Sequence, residues 1–326
     1  MTLGMIHLVL VIAGGSHFYW SFNDNQLLPD WGLPGHPGAG LVHYPTDATR
    51  DVLPIPVHSH SDYWRSRPLC DALSWGCMSV EADVWHFPGD SELYVGHKTR
   101  SLTKDRTFRR MYVDPIVELL DVMNEAAGVG DAGDYNTTRR GVFDRDPAQT
   151  LVLMVDLKTA GADTVDAVST ELAALRSKEY LSHWDGSQLQ IRAVTVVASG
   201  NTPFDQIIAA GQHRDIFIDA PLEDLSTKSY NASNSYYASV SFKKAVGHVW
   251  NGQLSSEQMR TIQNQISEAH QRGLKARYWD TPAWPINLRN HVWDVLMSAG
   301  ADVLNADDLK AAALSDWKRR VHGLWY

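Results

Sequence analysis

Val57-His58-Ser59-His60-Ser61-Asp62-Tyr63, then Ser79-Val80-Glu81-Ala82-Asp83-Val84, then Leu93-Tyr94-Val95-Gly96-His97: short apolar runs, each passing into polar residues, with an amphipathic segment between the first two. Residues two apart on a strand point the same way, so Glu81 and Asp83 put two carboxylates on one face of a strand over Cys77–Val84. Burying two like charges side by side is costly unless a cation or a proton is shared between them. With His60 just before and His97 just after, the pattern points to a divalent metal flanked by acid/base groups. The plainer alternative, in which both carboxylates sit on the wet face of an antiparallel strand, is weakened by the further polar residues that converge below.

Outward from this stretch the chain alternates. Apolar runs suited to strands cover Ile55–Ser59, Cys77–Val84, Leu151–Asp156, Ala193–Ala198, Asp215–Asp219, Tyr237–Ser241, Leu274–Tyr278 and Asp302–Asn305. Between them, Asp114-Pro115 opens a helix over Ile116–Ala127, Thr202-Pro203 opens Phe204–Ala210, and Ser255-Ser256-Glu257 opens one stopped at Gly273. Helical periodicity also fits Val165–Leu175, Ile286–Met297 and Leu309–Trp317. Eight strands, most followed by a helix, predict an α/β fold, a (β/α)₈ TIM barrel closed by Val303–Asn305 on Ile55–Ser59. The segment after Asp219 is too short and polar for a good helix, so the barrel is expected to be somewhat irregular there. A doubly wound open sheet is the rival, but no Gly-rich phosphate turn follows any strand.

The size suits one large domain, because barrels routinely exceed 250 residues and the chain has 326. A hydrophobic share of 44% with 21% charged residues is that of a globular protein with a sizeable core. A formal net charge of −9 argues against a nucleic-acid partner and against electrostatic adhesion to an anionic membrane. Only a local basic patch would change that. The two cysteines, Cys70 and Cys77, do not form a disulfide framework and read as ordinary thiols.

The domain division is residues 1–52 as an apolar segment and loop-rich lead-in, and 53–326 as the barrel. Leu3–Gly15 is apolar apart from His7, about the length of a signal-peptide core and shorter than the roughly 18 residues of a membrane span. It suggests a secreted or membrane-associated protein, with membrane association through this segment. Asn23–Val52 is rich in Pro, Gly and Asp and reads as a linker.

Barrel enzymes carry their chemistry at the C-terminal ends of the strands, and the polar residues gather there. His60 closes the first strand, Glu81 and Asp83 the second, Asp156-Leu157-Lys158 the third, Asp219 the fifth and Trp279-Asp280 the seventh, while Lys243 and Lys244 follow the sixth. A metal ion and a lysine facing two histidines suit a phosphodiester. The cations hold the non-bridging oxygens, one histidine activates the attacking oxygen, and the other protonates the leaving one.

The spacing His60, Glu81-x-Asp83, His97, Asp156-Leu-Lys158 resembles the phospholipase-C-like phosphodiesterase superfamily, which includes the glycerophosphodiester phosphodiesterases. More narrowly, His58-Ser-His-Ser-Asp-Tyr-Trp, Val80-Glu-Ala-Asp-Val-Trp, Asn201-Thr-Pro-Phe-Asp, Arg277-Tyr-Trp-Asp-Thr-Pro and Leu304-Asn-Ala-Asp-Asp-Leu resemble the fungal altered-inheritance-of-mitochondria protein 6 family. The mitochondrial link rests on that family's name alone.

The resemblance implies a phosphoric diester hydrolase acting on a small-molecule or lipid phosphodiester. It makes Glu81, Asp83 and Asp156 the metal ligands, His60 and His97 the catalytic pair and Lys158 a phosphate contact. Separately, Trp279 at the end of the seventh strand sits where an aromatic could line the substrate, the plainer alternative being a tryptophan packed at the barrel mouth. Phosphoinositide-specific members carry a calcium-ligating asparagine after the first histidine, where this chain has Ser61. A hydroxyl is a poorer cation ligand, which shifts the expected divalent cation from Ca²⁺ to Mg²⁺.

Two other readings compete. His58-x-His60 also resembles the metal-binding start of amidohydrolase-type barrels, but those need further histidines at later strand ends, and only His248 lies near the sixth. A non-catalytic barrel that binds a phosphate or lipid headgroup is the other. The oligomeric state is not set by the sequence.

Overall fold

The structure, a computed structural model, describes residues 49–125, 139–159, 161–209, 211–315 and 317. Eight parallel strands form the frame: β1 (Ile55–Ser59), β2 (Cys77–Trp85), β3 (Leu151–Leu157), β4 (Val194–Gly200), β5 (Ile216–Pro221), β6 (Ser235–Ser241), β7 (Lys275–Trp279) and β8 (Val303–Ala306). Each pairs with the next in chain order, and β1 pairs with both β2 and β8, so the sheet closes on itself. The closing register sets Val57, His58 and Ser59 against Leu304, Asn305 and Ala306. This is the predicted (β/α)₈ barrel.

Helices follow most strands: α1 (Cys70–Ser74), α2 (Asp114–Glu125), α3 (Ala162–Glu171), α4 (Ala173–Ser177), α5 (Phe204–Ala209), α6 (Phe242–Ala245), α7 (Ser256–Gln271), α8 (Ile286–Ala299) and α9 (Leu309–Ala313). Their ends follow local chemistry. Ser255 and Gln258 cap α7 reciprocally, the serine oxygen accepting from Gln258 N at 3.2 Å and the glutamine oxygen from Ser255 N at 2.9 Å. Gly300, at φ 101°, ends α8 in the left-handed conformation. Among the described residues no helix bridges β5 and β6, the irregularity expected after Asp219.

Three details differ from the sequence reading. The periodic stretch Val165–Leu175 divides at Leu172 into α3 and α4. Pro115 has no N–H to offer the carbonyl of Met111, and the chain passes that point as a π turn over Arg109–Val113 before α2. α9 ends at Ala313, short of Trp317, whose indole N–H returns to Ala312 O at 2.9 Å.

Neither Cys70 nor Cys77 is in a disulfide, and burial pushes the Cys77 thiol up to about 12. The apolar segment Leu3–Gly15 lies outside the described residues. Among those described, no helix is long and apolar enough to cross a membrane.

Candidate active site

The register of the sheet assembles the carboxylates. β2 and β3 align Asp83 with Asp156, and β3 and β4 align Asp156 with Ser199, whose hydroxyl donates to Asp156 Oδ2 at 3.0 Å. Glu81 lies two residues before Asp83 on the same strand face. One oxygen from each of Glu81, Asp83 and Asp156 lies within 4.8 Å of the others. Gly200 makes the approach possible. At φ +66° it adopts a conformation L side chains avoid, and a Cβ there would come within 2.6 Å of Asp156 Oδ1.

The loop after β1 clamps this trio. Asp62 braces it from inside, accepting from Ser59 Oγ at 2.6 Å, Leu69 N at 2.6 Å and Tyr112 OH at 3.1 Å. Ser61 is left-handed, at φ 46° and ψ 43°, and points its N–H at Glu81 Oε2, 3.0 Å away. Tyr63 donates to Asp83 Oδ2 at 2.7 Å.

Three carboxylates in one partly buried spot need positive charge, and the chain supplies some of it. Lys158 Nζ lies 2.9 Å from both Asp83 Oδ2 and Asp156 Oδ1. Burial raises the Asp83 pKa and the Glu81 charge adds to it, with Lys158 opposing. For Glu81, burial is outweighed by the hydrogen bond to His58 and the charge of Arg277, which hold it well below the usual carboxylate range. Oxygen donors only, closely spaced, with a net negative charge left after Lys158, are a donor set that fits a hard divalent cation.

The two histidines flank the trio. His60 Nδ1 is 2.7 Å from Asp307 Oδ1, at the end of β8, and its Nε2 is 3.9 Å from Glu81 Oε2. Burial pulls His60 down, but the hydrogen bond to Asp307 and the charges of Glu81 and Asp307 raise it overall. His97 Nδ1 lies 3.3 Å from Asp83 Oδ2 and 3.4 Å from Tyr63 OH, with close to half the side chain exposed. His58 is different. It is fully buried, with Nδ1 2.6 Å from Ser79 Oγ and Nε2 3.4 Å from Glu81 Oε2. Burial and the Arg277 charge lower it to about 3, so it sits in the barrel wall as a neutral ring bracing Glu81.

Above the trio opens a cavity of about 570 Å³, lined by His60, Glu81, His97, Asp156, Lys158 and Trp279 among others. All seven residues singled out from the sequence therefore meet, Asp83 lying just beneath as a partner of Lys158 and His97. Lys243 and Lys244 do not line the cavity.

The sequence reading missed the polar floor. Arg277 is buried, its Nε and Nη2 3.1 and 2.7 Å from Asn305 Oδ1, and its Nη1 3.3 Å from Ser239 Oγ and 3.5 Å from Asp219 Oδ2. It also missed Asp307 and Tyr63. Strand alternation was a usable signal for Arg277, which is two residues from Trp279 on β7. An aspartate directly after β8 was one for Asp307.

Residues 46–219 match the AIM6-like phosphodiesterase domain. An altered inheritance of mitochondria protein 6 homolog from Arthroderma benhamiae is 39% identical over 282 residues, covering 83% of this chain and 87% of that protein. The chain belongs to this family. The altered inheritance of mitochondria protein 6 of Eremothecium gossypii is 36% identical, over 81% of this chain and 70% of its own. A phosphatidylinositol-specific phospholipase C from Listeria monocytogenes aligns over 83% of this chain and 98% of its own, at TM-score 0.37 and 10% identity, a likeness too distant to bear on the site. For this member of the protein 6 family, the matched span holds His60, Glu81, Asp83, His97, Asp156, Lys158 and Ser199, while Arg277, Trp279 and Asp307 lie beyond it, on β7 and at the end of β8.

Proposed function

We propose that this chain is a metal-dependent phosphoric diester hydrolase acting on a lipid-derived or glycerol phosphodiester, with His60 and His97 as the acid/base pair. The observation that carries the reading is their placement. One histidine stands beside Glu81 and the other beside Asp83, and each has a ring nitrogen engaged by a carboxylate.

Asp307 holds Nδ1 of His60, which leaves Nε2 to take the proton of the attacking hydroxyl as its oxygen bonds to phosphorus. His97 gives a proton to the leaving oxygen as the second P–O bond breaks. Lys158 has donors to offer a non-bridging oxygen once the carboxylates have another counter-charge. Glu81, Asp83 and Asp156 would hold the cation, which when bound supplies charge stabilisation of the phosphoryl oxygens. Magnesium is the proposed ion, since Ser61 offers Glu81 its backbone N–H and its hydroxyl lies 3.3 Å from the phenol oxygen of Tyr63, whose own proton goes to Asp83. The apolar segment Leu3–Gly15 supports a secreted or membrane-associated location.

The test is phosphorus NMR of the products formed from glycerophosphodiesters, lysophospholipids, phosphoinositides and sphingomyelin, with magnesium, calcium or chelator. Metal-dependent cleavage that is lost in both His60→Ala and His97→Ala supports the proposal, and a cyclic product would identify a substrate hydroxyl as the attacking group. Silence across the panel refutes it in favour of a headgroup-binding barrel.

A further inference from the structure

Eight large apolar side chains stand exposed among the described residues, and five of them, Trp64, Trp250, Trp279, Trp284 and Ile286, follow the C-terminal ends of β1, β6 and β7 or stand on them. Trp250 and Trp284 are 75% and 76% exposed. They belong to one surface, because the turn Trp250–Gly252 packs against α8, the helix that starts two residues after Trp284. Across the opening, Trp64 meets the His97 ring edge-on at 5.3 Å. Trp279 thus lines the cavity, Trp64 packs on the His97 that lines it, and Trp250 and Trp284 stand on the loops that follow β6 and β7 at the same end of the barrel.

The charge on the loop after β6, which carries Trp250, is local and basic, while the loop between Trp279 and Trp284 carries the exposed Asp280. Lys243 and Lys244, in α6 between β6 and Trp250, are exposed and have no carboxylate within ion-pair distance among the described residues. The stretch from Phe242 to Ser255 contains no acidic residue at all. Beside Trp64 and His97, the loop after residue 97 exposes Lys98, Arg100 and Lys104. On a chain of net charge −9 this is the kind of basic patch that overall composition does not reveal.

We infer that this rim docks on the headgroup region of a phospholipid bilayer, with Trp250 and Trp284 entering the interface and Lys243 and Lys244 meeting lipid phosphates. Tryptophan is the side chain best suited to that boundary, with a large apolar body and one N–H for the wet side. Lysine reaches from an apolar stem to the phosphate layer. A protein seated on the same rim would plug the cavity, whereas a bilayer leaves its own diesters facing it. The choice of a bilayer as occupant rests on the diester-hydrolase reading, while the test below does not depend on turnover.

The experiment is co-sedimentation of the full chain with phosphatidylcholine vesicles and with vesicles that also contain phosphatidylserine, in chelator so that nothing is hydrolysed. Wild type should sediment with both. Trp250→Ala and Trp284→Ala should each lower the partition coefficient by roughly tenfold or more, given the area a tryptophan buries. Lys243→Glu/Lys244→Glu should lose most on the phosphatidylserine vesicles. Both tryptophans stand clear of the core, so circular dichroism should be unchanged, as should turnover of any water-soluble diester. Absence of vesicle binding by wild type overturns the inference. So does wild-type binding by the Trp250→Ala/Trp284→Ala protein, the result expected if the N-terminal apolar segment alone holds the membrane.

Discussion

Asp219→Asn isolates the electrostatics of the cavity floor. The Asp219 side chain is 9% exposed, its Oδ2 is 3.5 Å from Arg277 Nη1, and among the described residues its buried Oδ1 has no hydrogen-bond partner. Burial pushes its pKa from 3.8 up to about 6, with Asp156 and Glu81 adding repulsion and Arg277 and Ser239 opposing. That rise corresponds to about 3 kcal/mol. Because the folded state holds the proton more tightly than the unfolded chain, the associated stability is fully present below pH 3.8 and is lost as pH rises through about 6. The asparagine side chain stays neutral throughout, and its amide oxygen can still accept from Arg277. Urea denaturation in chelator, from about pH 4 to about pH 8, should show wild type losing roughly 2.4 kcal/mol more than Asp219→Asn, with the variant the more stable at the upper end. Parallel stability curves for the two proteins would refute this account of the floor.

The remaining predictions concern the site itself. Glu81→Gln and Asp156→Asn should abolish divalent-cation uptake in calorimetry while unfolding stays cooperative, and full affinity in Asp156→Asn would remove that residue from the ligand set. His60→Ala and His97→Ala should bind the cation normally and turn over on the order of 100- to 10,000-fold more slowly. His58→Ala separates the rival metal assignment, since in an amidohydrolase-type site both His58→Ala and His60→Ala would lose the metal outright, as metal analysis would read. Ser61→Asn should raise the melting temperature slightly, because asparagine tolerates the left-handed conformation found at φ 46° better than serine. It should also shift selectivity toward calcium, and an unchanged calcium-to-magnesium affinity ratio would place residue 61 out of the ion's reach.

The barrel was legible because each strand is a compact apolar run bounded by polar residues, and all eight fall where the runs lie, to within two residues at either end. The trio and both histidines were legible for a related reason, since residues at strand ends are presented together by closure. Contacts that depend on closure itself were not readable. His60 and Asp307 are 247 positions apart, and Arg277 and Asn305 sit on different strands. Nothing near any of them in the sequence announces the partner. The small hairpin of His183–Trp184 with Leu189–Gln190 was also passed over, although its signal is local. Asp185-Gly186-Ser187 is turn chemistry, and Asp185 Oδ1 accepts from Ser187 N and Gln188 N, both at 2.8 Å.

The parallel seam between β1 and β8 joins nearly the first barrel residues to nearly the last. During synthesis the three carboxylates and Lys158 leave the ribosome well before Asp307 does, so a nascent chain that already carries the whole trio still lacks the carboxylate that engages His60 Nδ1. The pairing of His60 with Asp307 is thereby delayed until the final strand has been made and has zipped onto the first. A chain cut anywhere before Val303 would be left with an unpaired sheet edge and with His60 lacking its carboxylate partner.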